Sequence, residues 1–278
     1  MFNFISFLRS VVTIMIPIFF ASAGGLFSVL AGTLNIALEG LLLAGAFSSL
    51  AVFYFTGSVF LAVVSAIITA AALSLLHAFA VFKLRANLFI SALAVNLLSS
   101  GLTIVLSEKI FKTKGVITSG NTFDSADLLW LYIFIGFFLL IILRLVIFKT
   151  PFGYRLRACE KNSEALVSLG INPHFYQITA ILISGIFCGI GGSFLSLNLG
   201  AFVPGISAGK GWIALAVIFL GMKKPAGILC ASFVFAFAET FSNYAQGFWN
   251  FPVDFLLAFP YICTLFVMII ISIISKEK

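Results

Sequence analysis

The chain has 278 residues, of which 62% are hydrophobic and 9% charged, with a formal charge of +7 and a mean hydropathy of +1.21. Soluble domains carry about 25% charged residues, so a soluble globule is excluded. The basic residues sit in short clusters between apolar runs, the pattern of positive-inside loops, so the partner expected for this charge is membrane lipid and not nucleic acid.

Gly40 to Phe82 contains no Asp, Glu, Lys or Arg, and neither does Phe255 to Ser275. A membrane helix needs about 20 apolar residues. The first run is two spans joined at Thr56–Ser58, and the second is one. Barrel strands alternate apolar and polar residues over about ten positions, whereas these runs are apolar all round. The expected fold is an all-α polytopic membrane protein, a single domain over 1–278.

In chain order the apolar stretches are 11–31, 36–55, 58–81, 88–106, 128–148, 176–199, 204–222, 225–245 and 254–274. They predict eight to ten membrane helices, one of them interrupted or short. The N-terminal stretch has features of a signal peptide, with Arg9, an apolar core and Ala21-Ser22-Ala23. Its apolar pattern continues past Ala23, which favours a retained first span.

Basic clusters orient the spans: Lys83 and Arg85; Lys149, Arg155, Arg157 and Lys161; Lys223 and Lys224; Lys276 and Lys278. Two apolar stretches separate each cluster from the next, so all four can lie on the cytoplasmic side. The polar loop from Ser107 to Asp127 then falls outside. Three stretches precede Lys83, so either the N-terminus is outside or one of them does not cross fully. The middle one holds "TLNIALEGLLLAGAF", Thr33 to Phe47, with Asn35 and Glu39. A helix broken near Asn35 and restarting by Glu39 would reconcile the count with a cytoplasmic N-terminus, and Glu39 would stabilise the restarting helix through its dipole.

The loop from about 150 to 175 reads "TPFGYRLRACEKNSEALVSLGINPHFY" between Thr150 and Tyr176. Asn162 or Ser163 can cap a short helix, Glu164 suits its first turn, and Gly170 suits a left-handed C-terminal position. Ala165, Leu166 and Leu169 fall at helical spacing. A two-turn helix is unstable alone in water, so it either lies on the membrane surface or docks on a separate cytosolic protein.

This loop resembles the cytoplasmic coupling loop of ABC-importer permeases in the ribose, simple-sugar and branched-chain amino-acid superfamily. The match is Arg157, Ala158, Asn162, Ala165, Gly170, Ile171 and Asn172; Glu160 stands where glycine is usual and Ser163 where proline is usual. "SAGKGWIALAVIFLGMKKPAG", Ser207 to Gly227, is similar to the family's next signature. "NIALEGLLLAGAF" resembles the element of the simple-sugar and nucleoside branch. Three motifs in order span about Leu26 to Glu239. The resemblance implies a permease subunit of an ATP-driven importer, with nucleosides or simple sugars as substrate. It implies three partners: an ABC ATPase subunit that binds ATP and Mg, a second paralogous permease, and an extracytoplasmic substrate-binding lipoprotein. The location implied is the bacterial cytoplasmic (inner) membrane. The docking residues implied are Arg157, Asn162, Ala165, Leu166, Leu169 and Gly170.

Ionisable residues at membrane depth are functional candidates. Arg144 can snorkel to the interface, His77 reads as interfacial, and Lys210 lies near the exterior mouth of a short span. Glu239 shares a helix face with Ser242 and Asn243, which either lines a passage or binds a neighbouring helix. Asn96, Ser99, Ser100 and Thr103 stripe another span. The substrate-pathway candidates are Asn35, Glu39, Asn96, Glu239 and Asn243. Gly185, Gly189 and Gly192 suit close helix packing. Cys159, Cys188, Cys230 and Cys263 lack the paired spacing of a metal or disulfide set. The chain has no phosphate-binding Gly-Lys-Ser/Thr loop, so no catalytic residue and no cofactor of its own is expected. The competing class is a secondary transporter in which Glu39 or Glu239 couples to Na⁺ or H⁺.

Overall fold

A computed structural model describes residues 4–119 and 125–246. The elements are α1 (Phe4–Leu30), α2 (Leu38–Thr56), α3 (Val59–Phe82), α4 (Leu88–Phe111), β1 (Ile117–Thr118), α5 (Ser125–Lys149), α6 (Pro151–Lys161), α7 (Ser163–Ser168), α8 (Pro173–Leu199), β2 (Ala201–Phe202), α9 (Lys210–Leu220) and α10 (Pro225–Ala245). Among the described residues, seven helices are long and apolar enough to cross a membrane: α1–α5, α8 and α10. The apolar stretch 254–274 lies outside the described residues.

The helix ends follow local chemistry. Ser58, Asn87, Thr150, Asn162 and Asn172 each cap the helix that follows with a side-chain oxygen. These acceptors take backbone N–H groups that have no partner inside the helix. Helix α8 is the central post, packed on α1, α2 and α3. Its glycines make that possible: a Cβ on Gly189 would come within 2.6 Å of the Ala66 carbonyl oxygen in α3, and one on Gly192 would overlap the backbone of α2. Close approach of this kind replaces the hydrophobic drive that lipid cannot supply.

One end of the bundle is basic. Phe82 at the end of α3 meets the His174 ring at the start of α8, with centroids 5.2 Å apart, and Glu160 in α6 pairs with Lys223. Helix α1 runs antiparallel to α8, because Gly191 packs against Pro17 and Phe20, Gly24 against Ser184 and Phe187, and Gln177 against the Ala31 carbonyl. Its Phe4 end therefore lies opposite the basic end. Of the two alternatives for the first three stretches, this arrangement fits the one in which the N-terminus lies on the side opposite the basic clusters. Helices α1, α2 and α3 pass down, up and down. The irregular residues 31–37 carry the chain from the basic end back into the bundle before α2 begins.

At the opposite end β1 pairs antiparallel with β2, Ile117 facing Phe202 and Thr118 facing Ala201. The chain then returns toward the bundle interior through turns, with Gly205 and Gly209 at φ of 75° and 81°. Helix α9 has only 11 residues, about 16 Å at ~1.5 Å per residue, roughly half a membrane. The apolar stretch 204–222 is thus a set of turns followed by a half-length helix.

Candidate functional site: a polar junction between two broken segments

The segments 31–37 and 203–209 leave helical structure beside membrane-length helices, and each needs partners for its backbone. Two asparagines serve the first. Asn35 is fully buried; its Oδ1 accepts from the Ala37 N–H at 3.0 Å and its Nδ2 donates to Ser184 Oγ at 2.6 Å. Asn96, on α4, accepts from the Gly40 N–H at 2.8 Å and donates to the Ile36 carbonyl at 3.1 Å. Both side chains are committed to holding the break.

Glu39 serves the second segment. It lies in the first turn of α2, yet its carboxylate reaches across to the start of α9. Oε1 accepts from Ser207 Oγ at 2.6 Å and from the Gly209 N–H at 2.9 Å, and Oε2 accepts from the Gly211 N–H at 2.7 Å. Gly209 offers no side-chain cap, so Glu39 is the acceptor at that helix end. Its charge also lies where the α9 dipole is positive. A Cβ on Gly211 would overlap the Glu39 backbone, so glycine is what lets α9 and α2 approach. Glu39 stands in the first turn of its own restarting helix, as expected, but its hydrogen bonds go to the start of α9. Sequence reading missed Ser207, Gly209 and Gly211 as its partners, although Gly209 and Gly211 bracket Lys210 in a motif already singled out.

Lys210 and Glu239 form an ion pair at 3.7 Å, their side chains 12% and 25% exposed. Lys210 is the first residue of the half-length α9, so it lies deep in the bundle and not at the exterior mouth. Ser242 is buried, whereas Asn243 turns outward into a cleft of about 410 Å³ shared with Arg9, Thr13 and Asn198. On α4, Ser99 and Thr103 are buried and Ser100 is exposed. His77 is also buried, with Nδ1 2.9 Å from Ser91 Oγ. Arg144 is exposed. Among the described residues, no group of three His, Cys, Asp or Glu side chains converges as a metal site requires.

In the 150–175 loop, Asn162 Oδ1 caps α7 by accepting from the Ala165 N–H at 3.0 Å, and Gly170 takes φ of 73°. Ala165 is exposed and Leu169 is 74% exposed. Leu166 is the exception: it is 4% exposed and joins the core near Leu156 and Tyr176. It is a packing residue of this chain, not part of a docking face. Val167, 62% exposed, joins Leu169 on the surface. Arg157 folds back, its guanidinium 4.9 Å from the Phe148 ring centre and 5.0 Å from that of Tyr154. Glu160, where the resemblance leads one to expect glycine, ties α6 to the α9–α10 turn through Lys223.

The family model described as "Branched-chain amino acid transport system / permease component" matches residues 7–272. The chain is 31% identical over 282 residues to the guanosine ABC transporter permease protein NupQ of Bacillus subtilis, covering 90% of this chain and 86% of that one. It is 31% identical over 278 residues to the nucleoside ABC transporter permease protein NupC of Lactococcus lactis, covering 91% and 87%. A solved chain of PsaBC from Streptococcus pneumoniae, in complex with Fab, has the same fold at a TM-score of 0.55 and 12% identity, covering 94% of this chain and 90% of that one.

Proposed function

Because this chain belongs to the family of branched-chain amino acid transport system permease components, we propose that it is the membrane subunit of an ATP-driven importer that takes up nucleosides, with simple sugars the second substrate class. The observation that carries the substrate choice is its likeness, over nine-tenths of its length, to permeases named for guanosine and for nucleosides.

A separate ATPase chain binds ATP and Mg and docks at the basic end, on the cytoplasmic face of a bacterial inner membrane. The exposed Leu169 and Val167 on α7 supply the apolar contact. A second, paralogous permease completes the pathway, and an extracytoplasmic binding protein delivers substrate to the opposite end. Movement of α6 and α7 on ATP binding passes through Glu160 and Lys223 to the turn between α9 and α10. Helix α9 is held at its other end by Glu39, so the motion reaches the junction with α2 and the Lys210–Glu239 pair. Gating by relative movement of packed helices is a common device.

Ion-coupled transport would use a carboxylate free to exchange a cation. Glu39 already accepts three hydrogen bonds and Glu239 already faces Lys210, which favours the ATP-driven reading. The deciding experiment is guanosine uptake into vesicles holding the chain and its native partners, with ATP on the cytoplasmic side. Uptake that needs ATP is the expected result. Uptake driven by an ion gradient without ATP would overturn it.

A further inference from the structure

Arg9, Ser10 and Thr13 of α1, Asn198 of α8, and Thr240 and Asn243 of α10 converge on the cleft at the end of the bundle opposite the basic one. Its volume of about 410 Å³ falls in the ~300–1,000 Å³ range of small-molecule pockets. Beside Arg9 and Tyr244, its walls carry two kinds of polar side chain. Ser10, Thr13 and Thr240 each donate their hydroxyl hydrogen to a carbonyl of their own helix, at 3.0, 2.9 and 2.7 Å. What they turn to a ligand is acceptor lone pairs.

Asn198 and Asn243 are different. Unlike Asn35, Asn87, Asn96, Asn162 and Asn172, they make no hydrogen bond within the described chain. Each carboxamide keeps two donors and a carbonyl acceptor for something else. Asn243 follows Glu239 by one helical turn, so the two lie on the same face of α10.

We propose that this cleft is the entry subsite for the transported nucleoside, in which the Asn198 and Asn243 carboxamides meet the hydrogen-bonding edge of the base and the Ser10, Thr13 and Thr240 oxygens accept from ribose hydroxyls. The inference rests on the nucleoside-importer reading. A site built to hydrogen-bond its substrate discriminates strongly against analogues lacking those groups, because its own groups are then left unpaired. It also differs from the roles of Asn35 and Asn96, whose carboxamides each already donate one hydrogen bond and accept another.

The test uses the complex with its native partners in vesicles. Replacing both amides, Asn198→Ala with Asn243→Ala, is expected to raise the KM for guanosine at least tenfold in the assembled complex. An unchanged KM in the assembled variant complex overturns the subsite. If that variant fails to assemble, Asn243→Cys decides. A membrane-impermeant maleimide added outside should label it above the background of the wild-type chain, and excess guanosine should slow that labelling at least fivefold. Equal labelling with and without guanosine overturns the proposal. A wild-type complex that hydrolyses ATP but imports no nucleoside defeats the substrate reading, and the subsite with it. Wild-type import with unaltered variant KM defeats the subsite alone.

Discussion

The Glu39 carboxylate and the Gly211 N–H, 172 residues apart in sequence, meet at 2.7 Å and join the start of α2 to the start of α9. With Ser207 and Gly209 on its other oxygen, Glu39 is the acceptor on which the second broken segment is organised. Losing a partner from a buried donor costs about 1–3 kcal/mol each. Glu39→Ala strands two N–H groups and a hydroxyl, so it should lower stability by about 3 kcal/mol or more and reduce transport to background. Glu39→Gln keeps one acceptor oxygen and should lose less. Thermal unfolding of the purified complex in detergent measures both; equal losses in the two variants would contradict the capping role.

How much of this was open to sequence reading depends on the range of the interaction. The Asn162 cap and the left-handed Gly170 are set within a few residues, and the structure has them where local chemistry puts them. The Glu39 contact is set by how α2 and α9 cross, which no local pattern records. The start of α9 had a local signal that apolarity hid: Pro204, Gly205 and Gly209 punctuate an otherwise continuous hydrophobic stretch. Leu166 and Leu169 share a helical spacing, but α7 ends at Ser168 and Leu169 is its C-cap. The chain turns there, so the two side chains part.

The Glu160–Lys223 pair gives a second prediction. Both side chains are about one-third exposed, so the pair contributes only ~1 kcal/mol or less to stability. Its expected effect is on coupling. Glu160→Lys should leave the complex assembled and ATP hydrolysis running, with uptake per ATP hydrolysed down at least fivefold. Lys223→Glu should do the same. The double charge swap should restore most of the uptake. A double variant no better than either single one would remove the pair from the coupling route.

At Lys210 and Glu239 the expectation differs, because the pair is more deeply buried. Removing one partner from a buried pair leaves an uncompensated charge and costs about 3–5 kcal/mol, whereas replacing both by apolar or neutral groups is often close to neutral. Lys210→Met alone should therefore destabilise strongly, and Glu239→Gln added to it should recover much of the loss. Thermal midpoints of the four members of this cycle measure the coupling, and additive effects would show that the two charges do not interact.

The two leucines of the 150–175 loop give separate expectations for folding and for docking. Leu166 is buried among core residues, and truncating such a leucine costs about 2–5 kcal/mol. Leu166→Ala should lower the thermal midpoint of the permease even when the ATPase is absent. Leu169 is 74% exposed, so its replacement touches little within this chain. Leu169→Glu should leave the isolated permease as stable as the wild type, while the ATPase no longer co-purifies with it and ATP-driven uptake falls to background. The contrast is the measurement: midpoint without the ATPase, then recovery of the ATPase with the permease. If Leu169→Glu still holds the ATPase and imports normally, the outward face of α7 is not where the ATPase binds.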